Sequence, residues 1–340
     1  MKKSIVLMLV LLPYLLFGQN NDTVKVNYIP KITGLIKAKW EYCFDDHTNR
    51  FDLRHSRIGI GGTINPYINY RVQVKYSSHG EFTCLDAYAT IKPWDNFTLW
   101  VGQFTVPFSE DYVISPSLNM FVNRSFVAKF INPGARDIGA RVDYTISKKI
   151  PFTLQAGIYN GVGINNPEWQ DSPFILGRLV YGTMDGLRAS VKYYGGKDIK
   201  NNKIANYGVD FRYAKDRYNI EAEYVFRDSI DSDAVLSGAY LQGGYIFPVN
   251  KSKLVKYIQP TLRTDIMGYD AFKYGYDISR ITVGVNFGLD TKLMTAELRL
   301  NYENFITRKG INNNSNYTAY FNRHDKGMFD KFTIELFIKF

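Results

Sequence analysis

Apolar residues recur at every second position through most of this chain. That period restricts it to strands with one greasy face and one wet face. The segment YINYRVQVKYS (67–77) sets Ile68, Tyr70, Val72, Val74 and Tyr76 against Asn69, Arg71, Gln73, Lys75 and Ser77. The same dyad runs through 31–42, 136–146, 186–194, 207–214, 217–226, 280–288 and 293–305. It continues less regularly through 53–64, 85–92, 97–106, 152–161, 174–182, 236–247, 257–267 and the terminal 331–340. Together these make about 16 strands, an even number, each near the ~10 residues that cross a bilayer when tilted.

The wet faces decide which solvent the greasy ones meet. Arg188, Lys192, Asp210, Arg212, Glu221, Glu223, Arg263, Asp265, Glu297 and Arg299 all fall on them. So many ionisable groups converging on a dry core would cost far too much, so they line water. The apolar faces then meet lipid, and the 26 tyrosines and 23 phenylalanines supply aromatic girdles. No run approaches the ~18 apolar residues of a spanning helix. The expected fold is an all-β transmembrane antiparallel barrel of about 16 strands.

The connections alternate in length. Asn65–Pro66, 93–96, 147–150, 182–186, 215–217 and 289–292 are short, whereas 44–52, 78–82, 107–135, 162–173, 195–206, 228–235, 268–277 and 306–330 are longer. Tight turns at one end and long loops at the other suit a barrel with periplasmic and external ends. The connection 248–256 departs from this rule. The longest loop of the first half, 107–135, carries Ile114, Leu118, Phe121, Phe126 and Phe130. Apolar groups in a loop need a surface to bury against, and the inner wall is nearest, so this external loop is expected to fold inward.

At the N-terminus Lys2 and Lys3 precede an apolar stretch from Ile5 to Phe17 and then Gly18. This pattern predicts a secretory leader, residues 1–18, followed by a single barrel domain, 19–340. Cys43 and Cys84 fall on strands that are not neighbours, so free thiols are expected. The formal net charge of +10 is spread singly along the strands without a basic helix or run, which is not a nucleic-acid footprint. His47, His55, His79 and His324 make no metal or catalytic spacing, and GxSxG, HExxH, P-loop and GxGxxG patterns do not occur. No cofactor is implied. Two other readings are a surface binding protein acting through 107–135 and 306–330, and a hydrolase of the barrel rim.

Strand parity sends roughly 17 bases and 11 acids to the wet wall. The candidates for an anion pathway are Arg71, Lys75, Arg141, Arg188, Lys192, Arg212, Arg263 and Arg299 on the wall, with Arg124 and Lys129 from the long loop. Basic rings in pores favour anions. The plainer reading is that many of these bases pair with neighbouring acids and stiffen the wall.

The segments FDLRHSRIGIGG (51–62), LDAYATIKP (85–93), VGQFTVPFS (101–109), NRS (123–125) and PGARDIGARVDY (133–144) resemble the signature segments of the phosphate-selective porin O and P family, in order and spacing. The resemblance implies a trimeric, 16-stranded porin of the Gram-negative outer membrane whose third external loop enters the channel. It implies passage of small anions such as phosphate or polyphosphate along arginines with lysines nearby. The expected partners are outer-membrane lipid, small anionic solutes, further copies of the chain and the barrel assembly machinery. Phe340 resembles the terminal aromatic that such proteins present to that machinery.

Overall fold

The computed structural model describes residues 27–53, 55–76, 80–131, 135–147, 151–198, 201–229, 234–289, 291, 294–308 and 329–340. The expected leader lies outside the described residues, as does most of the loop 306–330.

The eighteen hydrogen-bonded segments form one sheet. Two passes are interrupted, so the segments make sixteen antiparallel strands in a closed barrel. In chain order these are β1 (Lys31–Cys43), β2 (Thr48–Asp52 continued by Ser56–Asn65), β3 (Ile68–Tyr76), β4 (Phe82–Trp94), β5 (Phe97–Thr105), β6 (Arg136–Thr145), β7 (Phe152–Tyr159) and β8 (Phe174–Gly182). The second half holds β9 (Gly186–Lys197), β10 (Lys203–Lys215), β11 (Tyr218–Ser229), β12 (Ala234–Tyr245 continued by Phe247–Pro248), β13 (Val255–Tyr269), β14 (Ile278–Leu289), β15 (Thr295–Thr307) and β16 (Lys331–Lys339). Neighbours in the sheet are neighbours in sequence, and β16 returns to β1 with Leu35 opposite Lys339 and Cys43 opposite Lys331. Closure leaves no free edge.

Each expected strand has its counterpart, but several run further than their hydropathy does. The stretch 44–52, expected as a long loop, pairs back on β1 through Thr48–Asp52 and leaves a short turn. Likewise β9 and β10 pair as far as Lys197 opposite Lys203. Backbone ladders do not depend on side-chain polarity, so strands continue past the point where alternation ends. Cys43 and Cys84 are both free, on β1 and β4.

The burial pattern is inverted relative to a soluble protein. Arg188, Lys192, Asp210, Arg212 and Glu221 are buried, whereas their neighbours Leu187, Val191, Val209, Phe211 and Ile220 are exposed. The apolar band looks outward and the charges look inward. At the seam, Gly34 and Phe340 exchange backbone hydrogen bonds of 2.8 and 3.0 Å. The Phe340 ring lies over Gly34, where a Cβ would stand 2.1 Å from the ring carbon Cζ.

Candidate functional site

The residues between β5 and β6 form little regular structure: a short helix α1 (Glu110–Val113) and one π-turn (Val127–Ile131). A backbone so irregular must find partners for its N–H and C=O groups elsewhere. The charged face of the barrel wall supplies them.

On one side, Glu223 of β11 accepts hydrogen bonds from Ser109 Oγ (3.1 Å) and Glu110 N (3.1 Å). Lys192 bridges Glu223 (2.6 Å) and Asp210 (2.7 Å). Arg178 joins Glu110 (2.7 Å) to Asp210 (3.1 Å), and Arg188 also reaches Glu110. On the other side, Asp265 of β13 accepts Phe126 N (2.9 Å). Arg280 donates to Arg124 O (2.8 Å) and Arg263 to Asn123 O (2.9 Å). Asn301 accepts Val122 N (2.8 Å), and Asn286 donates to Met120 O (2.9 Å).

The apolar groups of the segment complete the seal. Phe108, Phe126, Val127, Phe130 and Ile131 are buried in one cluster with Phe104, Tyr159, Phe174 and Tyr194 of the wall. Ile114 and Phe121 are buried as well. Leu118, expected to behave like them, is exposed. The aromatic mass fills the space between the segment and β5–β9. Open space remains on the opposite side, against β1–β4.

Three cavities follow one another there. The smallest, about 130 Å³, lies between Lys37, Lys39 and Arg57 of the wall and Tyr112, Arg124 and Lys129 of the segment. The next, about 390 Å³, shares Arg57, Tyr112 and Arg124 and adds Arg71, Asp86 and Arg136. The third, about 630 Å³, shares Thr33 and Arg71 and lies towards the short-turn end. Arg57 and Arg124 line both the first and the second cavity.

Charge along the narrow part is one-sided. Lys37, Lys39, Arg57, Arg71, Arg124, Lys129, Arg136 and Lys339 line the first two cavities, with Asp86 and Glu335 as their carboxylates. Arg136 lies 2.7 Å and Arg71 3.8 Å from Asp86. Lys37 lies 3.6 Å from Glu335. Arg124 pairs with Asp111 at 2.9 Å and stacks on Tyr112 at 4.6 Å. Arg57 forms no ion pair among the described residues, and its Nε is buried without a hydrogen-bond partner.

The candidates named from the sequence therefore divide. Arg71, Arg124 and Lys129 line the passage. Lys75 stands opposite Arg57 in the β2–β3 register. Arg141, Arg188, Lys192, Arg212, Arg263 and Arg299 are buried, and each is paired with a carboxylate. Their burial takes them off the open wall: Arg188, Lys192 and Arg263 brace the segment, and Arg299 reaches Pro116 O at 3.4 Å. Arg57 and Arg136 were not singled out. Parity places Arg57 inward, but nothing local distinguishes it from the bases that find partners. Arg136 sits at the junction of segment and strand, where parity has barely begun.

Solved structures with the same fold include OmpF of Salmonella typhi (TM-score 0.66, 12% identity, covering 92% of this chain and 98% of that one). An anion-selective porin from Comamonas acidovorans aligns with TM-score 0.62 and 12% identity over 92% and 99% of the two chains. The trimer form of OmpT from Vibrio cholerae aligns with TM-score 0.61 and 12% identity over 92% and 99%. No curated protein matches the chain. Residues 39–174, which contain Arg57, Arg71, Arg124 and Arg136, match the family model described as phosphate-selective porin O and P. The match covers residues 39–174 and not the rest of the chain, and together with the outer-membrane barrel architecture it indicates a protein of the Gram-negative outer membrane.

Proposed function

We propose that the chain is a passive outer-membrane porin for small hydrophilic solutes in which anions are favoured, phosphate and polyphosphate among them. The observation that carries this reading is the constriction itself, where bases outnumber carboxylates and Arg57 has no acid partner among the described residues. Low-dielectric walls focus such a field and raise the local anion concentration. Guanidinium groups replace part of the ion's hydration shell, and their planar fork suits phosphate oxygens. Asp86 and Glu335 temper the well, and exchange between Arg57, Arg124, Arg71 and Arg136 lets the ion leave. The family description and the Comamonas porin's anion selectivity support the anion preference. The trimeric OmpT neighbour supports assembly as a homotrimer. The reading needs no cofactor, energy source or chemical step.

Reversal potential in a planar bilayer under a potassium chloride gradient tests it. The expected sign is that of an anion-preferring pore, and substituting phosphate for chloride is expected to keep that sign. A zero or cation-selective potential rejects the anion preference.

A further inference from the structure

We propose that the cavity beyond the constriction binds the ring of a phosphorylated sugar whose phosphate rests on the arginines, a proposal that depends on the anion-porin reading above. The third cavity, about 630 Å³, meets the second at Arg71 and is lined on its inner wall by Asn69, Tyr88, Thr90, Thr98 and Trp100. Its volume is in the range of small-molecule sites. Tyr88 stands directly opposite Arg71 in the β3–β4 register. Residues so paired lie about 5 Å apart at Cβ, which brings a cation and an aromatic face within the reach of one small molecule.

The rings are held before any ligand arrives. Tyr88 and Trp100 are the half-buried edge of the aromatic mass that fills the barrel. Their centroids are 5.0 Å apart, and Phe104 lies 6.0 Å from Tyr88. Between Trp100 and Phe104 the chain has Gly102, opposite Tyr88. Its φ is +124° and a Cβ there would stand 2.8 Å from Tyr88 Cα, so a side chain would lift Tyr88 away. Arg141 covers one face of Trp100 at 4.6 Å, and the indole N–H donates to Asp143 at 2.8 Å. A platform fixed in this way loses little freedom on binding.

The rest of the lining selects the kind of ring. Asn69, Thr90 and Thr98 offer hydroxyl and amide groups beside the aromatics. An aromatic surface of two rings inclined at 47°, with a hydrogen-bonding rim, matches a pyranose, which has C–H groups on its face and hydroxyls at its edge. Inorganic phosphate can accept hydrogen bonds from the rim but has no C–H face to lay against the rings.

The test is current block in planar bilayers carrying the full chain, with inorganic phosphate, glucose and glucose 6-phosphate as probes. Glucose 6-phosphate is expected to half-block the chloride current at a concentration about three- to tenfold lower than inorganic phosphate, with glucose weaker than both. Tyr88→Leu and Trp100→Leu are each expected to abolish that advantage and leave block by inorganic phosphate within about twofold, while Tyr88→Phe retains it. Tyr88→Leu breaks no side-chain hydrogen bond described above, so it covers the case in which Trp100→Leu fails to assemble. Equal half-blocking concentrations for the two phosphates in the unmodified chain overturn the ring site, as does an advantage that survives Tyr88→Leu. A channel without anion preference in its reversal potential overturns the underlying reading instead.

Discussion

Arg124 donates to Asp111 at 2.9 Å within the segment that narrows the barrel, and its guanidinium stacks on Tyr112 at 4.6 Å. The pair is internal to the segment. It orients the arginine without removing it from the passage, because Arg124 lines both of the narrow cavities. Asp111 also accepts Ser125 N at 2.7 Å, so the carboxylate is shared between bracing and pairing.

Reversing the charge at Arg124 is therefore expected to lower anion over cation selectivity more than the same change at Arg308. Arg308 is exposed at the rim, 3.7 Å from Asp277, with a side chain 54% accessible. A charge in a narrow low-dielectric passage is screened far less than one in open water. Reversal potentials of Arg124→Glu and Arg308→Glu, measured on barrels of equal heat stability, separate the two. Equal shifts would leave Arg124 with only a bracing role.

Arg57→Gln is expected to reduce anion preference with little change in stability, since no ion pair among the described residues is lost. Arg280→Gln is expected to do the opposite. It breaks pairs with Asp265 (2.9 Å) and Glu303 (2.5 Å) and the bond to Arg124 O. Unpairing buried charge of this kind costs about 3–5 kcal/mol. Selectivity and the temperature of heat modification, read on both variants, check the contrast. A large stability loss in Arg57→Gln would mean the side chain holds the wall together.

The cluster around Arg178 makes a separate claim about conductance. Arg178, Glu110, Asp210 and Lys192 have fully buried side chains. Arg178→Met leaves two carboxylates with one base fewer, at a cost of about 3–5 kcal/mol. The segment is expected to detach at its α1 end, giving larger and noisier single-channel steps. Asp210→Asn in the same chain is expected to recover part of the stability, because Glu110 keeps Arg188 and Glu223 keeps Lys192. Unchanged single-channel conductance in Arg178→Met would show that the aromatic cluster alone seats the segment.

Barrel closure can be probed at Gly34. A side chain there collides with the Phe340 ring, and overpacking typically costs about 1–3 kcal/mol. Gly34→Leu is expected to lower the folded, heat-modifiable fraction. In chains carrying Phe340→Ala the same substitution is expected to cost much less. Additive losses in this cycle would mean that the ring and the glycine do not interact.

Period-two alternation by itself determined which face of each strand looks outward, the number of passes and the place of each strand. These are local properties: parity is set by adjacent residues, and YINYRVQVKYS declares its two faces without reference to any partner. The apolar loop between β5 and β6 was legible for the same reason, since Phe121, Phe126 and Phe130 in a connection demand cover. Tertiary structure alone decided which inward bases meet open water. Arg188 and Arg57 have the same parity, but Arg188 meets Glu110, which lies 78 residues away, and Arg57 meets Arg124 and Arg136 across the passage. Whether a lumen base is braced or open depends on what the segment brings opposite it. That juxtaposition exists only when the barrel has closed around residues 106–131.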